Sequence, residues 1–392
     1  MSAIMQPKVE KKLFSEMIPV ARPWFTAAEE EILAETIRSG WVAQGPRVRA
    51  FEQVVAEYVG APFAIATNSC TSALQIALET LGVGVGDEVI VPSFTFIATA
   101  NVVVHRGARP VFVDIDPKTY NMDPAAIEKA ITPKTKLILV VDQIGLPAEL
   151  EAIHSLARKK NLQVLEDAAC ALGSEYQGKR IGGITEISCF SFHPRKLITT
   201  GEGGMITTKN EAYAEAARSR VSHGASISDL ARHQSSELLF EEYRVTGYNY
   251  RMSDIQAALG LAQFTKLNQI LEKRRFLAER YNQAFSSIPE IVSPLEPKGM
   301  KTNFQSYMIR ILPKAKRDRD EIMRYLLDRK IATRRGIMAI HLEPVYRQLF
   351  GEVRLPETEK AFKETLILPL YPQMTEEEQD FVIDSFKQAL VF

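Results

Sequence analysis

Short apolar runs alternate along the chain with longer stretches whose apolar positions recur every three or four residues. The runs 63–67, 88–92, 111–114, 137–141 and 162–165 have the length and composition of strands, and helix-period stretches separate them. Ahead of the first run, 26–40 reads as a helix with both ends marked. Thr26 and Glu29 form a capping box, and Gly40 stops the helix. Residues 48–58 read as a second amphipathic helix. Asn68-Ser69-Cys70-Thr71-Ser72 opens a helix running to about Leu81, and Asp123-Pro124 is a cap followed by proline at the first helical position. Strand and helix alternating through short connections predict an α/β fold with a mostly parallel sheet flanked by helices on both faces. Ligands of such sheets sit at the carboxyl ends of the strands. Thr67-Asn68, Phe94-Thr95-Phe96 and Asp167 all fall at such ends.

The pattern changes past the middle of the chain. Two strand-like runs, 187–190 and 205–208, enclose Ser191-Phe192-His193-Pro194-Arg195-Lys196 and the turn Gly201-Glu202-Gly203-Gly204. A helix is expected over 211–220. Residues 221–245 are polar and pattern-poor and read as a loop. One long helix is expected from Ser253 to about Phe285. After it come a strand (306–312), a helix (317–329), a strand (331–333) and helices at 357–364 and 375–389, the last with a capping box of Thr375 and Glu378. The expected division is a large α/β domain over 1–255 and a small α+β domain over 256–392. No internal repeat is visible.

Composition narrows the function. Lysine plus arginine balance aspartate plus glutamate at 48 each, so net charge gives no case for nucleic acid or an anionic membrane as partner. The cysteines are Cys70, Cys170 and Cys189. They form no CxxC pair, and neither a metal site nor a disulfide framework is indicated. The first eighteen residues are mixed and charged, and no apolar run approaches the roughly 20 residues of a membrane span. The expectation is a cytoplasmic protein.

The chemistry centres on Lys196, a lone lysine in a bend of proline and glycines. Such a lysine can carry pyridoxal 5'-phosphate as a Schiff base. A hydroxyl-rich turn at a helix start, such as Asn68 to Ser72, suits a phosphate. An acid at a strand end, such as Asp167, can hold a pyridine nitrogen protonated, and an aromatic such as Phe94 or Phe96 can stack on the ring. Taken singly, each has a plainer reading: a loop lysine, an N-cap, a turn aspartate, a core phenylalanine. The four together, in the chain order turn, aromatic, aspartate, lysine, point to a pyridoxal site.

Those residues also carry a resemblance. From about Ile18 to its C-terminal end the chain resembles the nucleotide-sugar aminotransferases of the DegT/StrS type, a branch of the fold-type I pyridoxal enzymes. The matching stretches are Ser39-Gly40-Trp41 to Gly45-Pro46, Asn68 to Leu74, Val91 to Ala100, Pro110 to Asp116, Glu166 to Ala169, Ser191 to Gly204, and Gly247 to Met252 with Gln256-Ala257-Ala258. The resemblance implies Lys196 as Schiff-base lysine and Asp167 as partner of the ring nitrogen. It implies Phe96 as stacking aromatic, Thr71, Ser191 and the Cys70 N–H as phosphate ligands, and Asn249 as an asparagine reaching the phosphate of the neighbouring subunit. A homodimer with shared sites follows, with glutamate and a nucleotide-linked keto-sugar as substrates. The sequence departs from relatives at Cys170, at Asp142-Gln143-Ile144-Gly145 and at Arg334-Arg335-Gly336-Ile337-Met338. The adjacent arginines are candidates for binding an anion. Amination of a cyclitol or other carbocyclic ketone is an alternative, as is a pyridoxal-binding member that does not transaminate. Lys196 argues against the related dehydratases, which carry histidine there.

Overall fold

The computed structural model describes residues 16–227, 235–237 and 239–391. The sequence reading of the extreme N-terminal residues and of the middle of the 221–245 loop lies outside them.

The first part of the chain runs α1 (Ala27–Arg38), α2 (Pro46–Val59), β1 (Phe63–Thr67), α3 (Cys70–Thr80), β2 (Glu88–Pro92), α4 (Ala98–His105), β3 (Arg109–Val113), α5 (Pro124–Ala130), β4 (Thr135–Val141), α6 (Leu150–Lys160) and β5 (Gln163–Asp167). A short hairpin follows, β6 (Glu175–Tyr176) and β7 (Lys179–Arg180), then β8 (Ile187–Ser191), β9 (Gly204–Thr208) and α7 (Glu211–Val221). Among the described residues the main sheet has seven strands in the order β1-β9-β8-β5-β4-β2-β3. Only β9 runs against its neighbours; every other pairing is parallel. The mostly parallel sheet expected from the alternation is therefore what forms. Its strands are buried on both faces, which is why they read as continuous apolar runs. One core packs Val55, Ile138 and Phe190 with α2 and α6; the other packs Leu74, Val91 and Leu139 with α3 and α4.

The rest runs α8 (Asp254–Thr265), α9 (Leu267–Phe285), β10 (Ile291–Val292), β11 (Met300–Lys301), β12 (Tyr307–Ile311), α10 (Arg319–Asp328), β13 (Arg334–Arg335), α11 (Pro344–Phe350), α12 (Pro356–Glu364), β14 (Thr365–Leu368) and α13 (Glu376–Val391). A second sheet, β10-β12-β14-β13, is packed by α10 and α13 around Tyr281, Tyr307 and Phe386. Strand β11 pairs with β6 of the first half. Helix α9 begins in the large core at Leu267 and Leu271 and ends in the small one at Tyr281 and Phe285.

Three expectations need correction. The single helix expected from Ser253 to Phe285 is two helices, broken at Lys266. Neither glycine nor proline marks the break. The Lys266 ammonium is drawn onto the carboxylate of buried Glu29 and the carbonyl of Trp24, and α9 restarts from there. The strand expected at 331–333 lies a few residues later. Ile331 itself is a buried core residue bridged to Ile18, and the ladder forms at Arg334 and Arg335. Helix α11 was not expected; Pro344 opens it, and Tyr346 packs edge-on against Phe112 at 5.5 Å.

The start of α2 depends on a residue two hundred positions away. Asp254 is 1% exposed and accepts the N–H groups of Gly45 (2.8 Å), Arg47 (3.1 Å) and Val48 (3.0 Å). A carboxylate on three free amides at a helix N-terminus is both cap and dipole partner. Asp254→Ala should therefore destabilise the protein by about 2 kcal/mol, read from urea unfolding. A variant within experimental error of the parent would refute the capping role.

Candidate active site

The strand ends bring the chemistry together. Strand β5 ends at Asp167, β8 at Ser191, β1 at Thr67, and β9 begins at Gly204, so these four residues meet at one edge of the sheet. Gly204 pairs with both Thr67 and Ser191. It also lies so close to the next turn that a Cβ would come within 2.5 Å of Ser69 backbone and 2.6 Å of the Cys70 nitrogen. Only glycine permits this approach. It sets Ser191 beside the start of α3. There the Ser69 hydroxyl caps Ser72 N–H (3.1 Å), and the amides of Cys70 and Thr71, in the first turn, have no intrahelical acceptor. Thr71 is exposed.

Asp167 is 5% exposed. One oxygen accepts the Thr99 hydroxyl at 2.8 Å, the other the Ala169 N–H at 3.2 Å. Burial pushes its pKa up, against the lowering effect of these two donors and of nearby Lys196. A buried carboxylate held by two neutral donors calls for a cation. Phe96 sits two residues beyond fully buried Phe94, yet its ring is 58% exposed.

Lys196 enters from the loop between β8 and β9. Its Nζ donates to Cys170 Sγ at 3.0 Å. Burial alone would lower the ammonium's pKa; Cys170, Cys70 and Asp167 outweigh it, and the net direction is up. The Cys70 thiol is pushed well up, by burial first and then by Asp167.

Residues that the sequence reading did not single out hold this cluster in place. Gln305 Nε2 donates to the Arg195 carbonyl (2.9 Å), one residue before the lysine. Asn303, fully buried, donates to the carbonyls of Cys170 (2.7 Å) and Leu172 (2.9 Å). Buried Arg274 grips the carbonyls of Phe304 (3.0 Å) and Gln305 (2.5 Å), and burial lowers its pKa to about 10. Segment 302–305 is thus a clamp on the Cys170 turn and the Lys196 loop together. Thr99 had a visible signal, as a hydroxyl three positions after Phe96 on the helix facing the sheet end. Arg274 and Asn303 had none, since their partners are backbone carbonyls distant in sequence.

Asn249 meets the turn that precedes α3. Its backbone bridges Ser222, and its carbonyl accepts from Asn68 at 3.4 Å. Its exposed side-chain amide has no partner among the described residues.

The family description DegT/DnrJ/EryC1/StrS aminotransferase matches residues 25–387. The chain belongs to this aminotransferase family. It is 38% identical over 380 residues to the spore coat polysaccharide biosynthesis protein SpsC of Bacillus subtilis, covering 96% of this chain and 98% of that one. Among solved structures it is similar to the putative sugar aminotransferase Spr1654 of Streptococcus pneumoniae in its PLP-form (TM-score 0.89, 30% identity, 95% of this chain and 98% of that one). It is equally similar to Helicobacter pylori PseC, an aminotransferase of pseudoaminic acid biosynthesis (TM-score 0.89, 30% identity, 96% and 99%). Spr1654 is also known in a PMP-form. The protein is a sugar aminotransferase that uses pyridoxal 5'-phosphate. The residues present fit that cofactor. Asp167 is held by two neutral donors and no ion pair among the described residues, the first amides of α3 lack intrahelical acceptors, and Phe96 is 58% exposed.

The buried acid gives a pH prediction. Raised above its ordinary 3.8 in the folded apoprotein, Asp167 contributes stability below that value and loses it as pH rises through the higher folded one. A cation bound beside it reverses the loss. The unfolding free-energy gap between holo- and apoprotein, read from urea unfolding, should therefore widen from about pH 4 towards neutrality, by roughly 1.4 kcal/mol per unit of upward shift. In Asp167→Asn the gap should stay flat; equal widening in the variant would contradict the assignment.

Proposed function

We propose that this sugar aminotransferase transfers an amino group from glutamate to a keto-sugar carried on a nucleotide, and that it works as a cytoplasmic homodimer with shared sites. Lys196 Nζ would hold the cofactor covalently and, once released, move a proton between the substrate carbon and the cofactor. Asp167 would keep the ring nitrogen protonated, with the Thr99 hydroxyl and the Ala169 N–H each fixing one of its oxygens. When bound, pyridoxal phosphate supplies the electron sink for the carbon–hydrogen bond that breaks. Thr71, Ser191 and the Cys70 N–H would hold its phosphate, and Phe96 would cover its ring.

The observation that carries the nucleotide reading is Arg334. It is exposed on edge strand β13 opposite Ile367, which pairs in turn with Met308. Ile367 and Met308 pack against Phe94 and Ile144 of the large domain. Arg334 thus extends the row of the small sheet that faces the strand ends. No carboxylate among the described residues pairs with it. A free guanidinium there suits a diphosphate, which it can grip with two hydrogen bonds. Arg334→Ala should raise KM for a nucleotide-linked keto-sugar by about tenfold or more, with kcat little changed. The direct test is a panel of nucleotide-linked 4-keto- and 3-keto-sugars and carbocyclic ketones with glutamate, read by mass spectrometry. Amination of carbocyclic ketones alone would overturn the reading.

The shared site rests on Asn249 and its unpartnered amide. An amide on a phosphate is charge-assisted, so its loss should weaken cofactor binding by roughly 1.5–3 kcal/mol. Asn249→Ala and Lys196→Ala homodimers should both be impaired, and mixed dimers should regain one working site in two. Since Asn249 also touches Asn68 of its own chain, verified mixed dimers without recovered activity would place its action within one subunit.

A further inference from the structure

Behind Asp167 lies a group that the proposed chemistry does not use. Val140 pairs with Glu166 and Val141 with Asp167 in the parallel ladder of β4 and β5. Asp142 follows Val140 by two, so Asp142 and Glu166 share one face of the sheet and Asp167 lies on the other. Both acids are 0% exposed. Asp142 Oδ1 accepts the Ala148 N–H (2.9 Å), and Glu166 Oε2 accepts the Ser188 hydroxyl (2.5 Å). The two remaining oxygens, Asp142 Oδ2 and Glu166 Oε1, are buried without a well-aligned partner, the two side chains lie against each other, and the Thr185 hydroxyl and Gly182 N–H also stand near Glu166.

No cation answers them. Among the described residues neither acid has an ion pair. The titratable groups nearest them are His154 on α6, which reaches Thr185 at 3.3 Å beside Glu166, and, across the sheet, Asp167 and the Cys189 thiol on β8. Burial pushes the thiol up and the imidazole down, so both stand neutral. Two carboxylates in contact in a dry interior cannot both be ionised. One proton between the orphaned oxygens satisfies both at once.

We infer that Asp142 and Glu166 share one proton and act as positioning residues for Asp167. The link ties the end of β4 to β5 at the point where the Asp142 N–H donates to the Asp167 carbonyl (3.2 Å). It fixes the strand end from which the Asp167 carboxylate faces the cofactor. Loss of the shared proton leaves two repelling charges directly behind that carboxylate. Burial raises both acids, Asp142 well above its ordinary range, so this loss comes as pH rises. The inference rests on the strand geometry and the cofactor, and is independent of the sugar.

Infrared spectroscopy of the folded wild-type holoenzyme tests it first. A protonated-carboxyl band is expected at neutral pH and should vanish in both Asp142→Asn and Glu166→Gln, because an amide then supplies the donor. The second readout is cofactor retention against pH, measured by ultrafiltration. Wild type should release cofactor at alkaline pH, its affinity falling up to tenfold per pH unit through the titration. Asp142→Asn should hold it there, and Asp142→Ala should lose affinity throughout. Absence of the band in wild type, its survival in both variants, or parallel retention profiles for wild type and Asp142→Asn would overturn the proposal.

Discussion

A carboxylate buried at the end of a central strand is the constraint around which this molecule is arranged. Asp167 is 5% exposed and pushed towards its neutral form by burial. Ionising such a group without a counter-charge is expensive in a low-dielectric interior. Thr99 and Ala169 offset part of that cost, and nearby Lys196 offsets a further part. Strand order does the rest. Because β5 lies next to β8, and β8 next to β9, the same sheet edge delivers Asp167, Ser191 and Gly204 side by side. Gly204 then lets the turn that opens α3 close against them.

The second half of the chain acts on that edge from outside. Arg274, held on α9, grips segment 302–305, and that segment grips the Cys170 turn and the loop of Lys196. These are bonds from side chains to backbone carbonyls, so they hold the loops themselves. The lysine loop is therefore positioned by both halves of the fold.

How much of this was legible in the sequence depended on range. The strands of the main sheet read clearly because both faces are buried and the runs are continuously apolar. The capping residues Thr26, Asp123 and Thr375 read clearly because caps are local. Lys196, Asp167, Ser191 and Cys70 could be picked out because residue type and strand-end position coincide, and they converge in space; their roles remain proposals. The break at Lys266 was invisible, since its cause is Glu29 on another helix. The clamp of Arg274 and Asn303 was invisible for the same reason. The pair of Asp142 and Glu166 looked like two unrelated acids until β4 and β5 were set in register.

The central claim is that Lys196 holds the cofactor, with Asp167 behind its ring. Borohydride reduction of the resting enzyme, followed by peptide mass spectrometry, tests it most directly. The account predicts a single pyridoxyl-phosphate adduct, on Lys196. Cofactor fixed to another lysine, or bound enzyme that yields no adduct at Lys196, would contradict it.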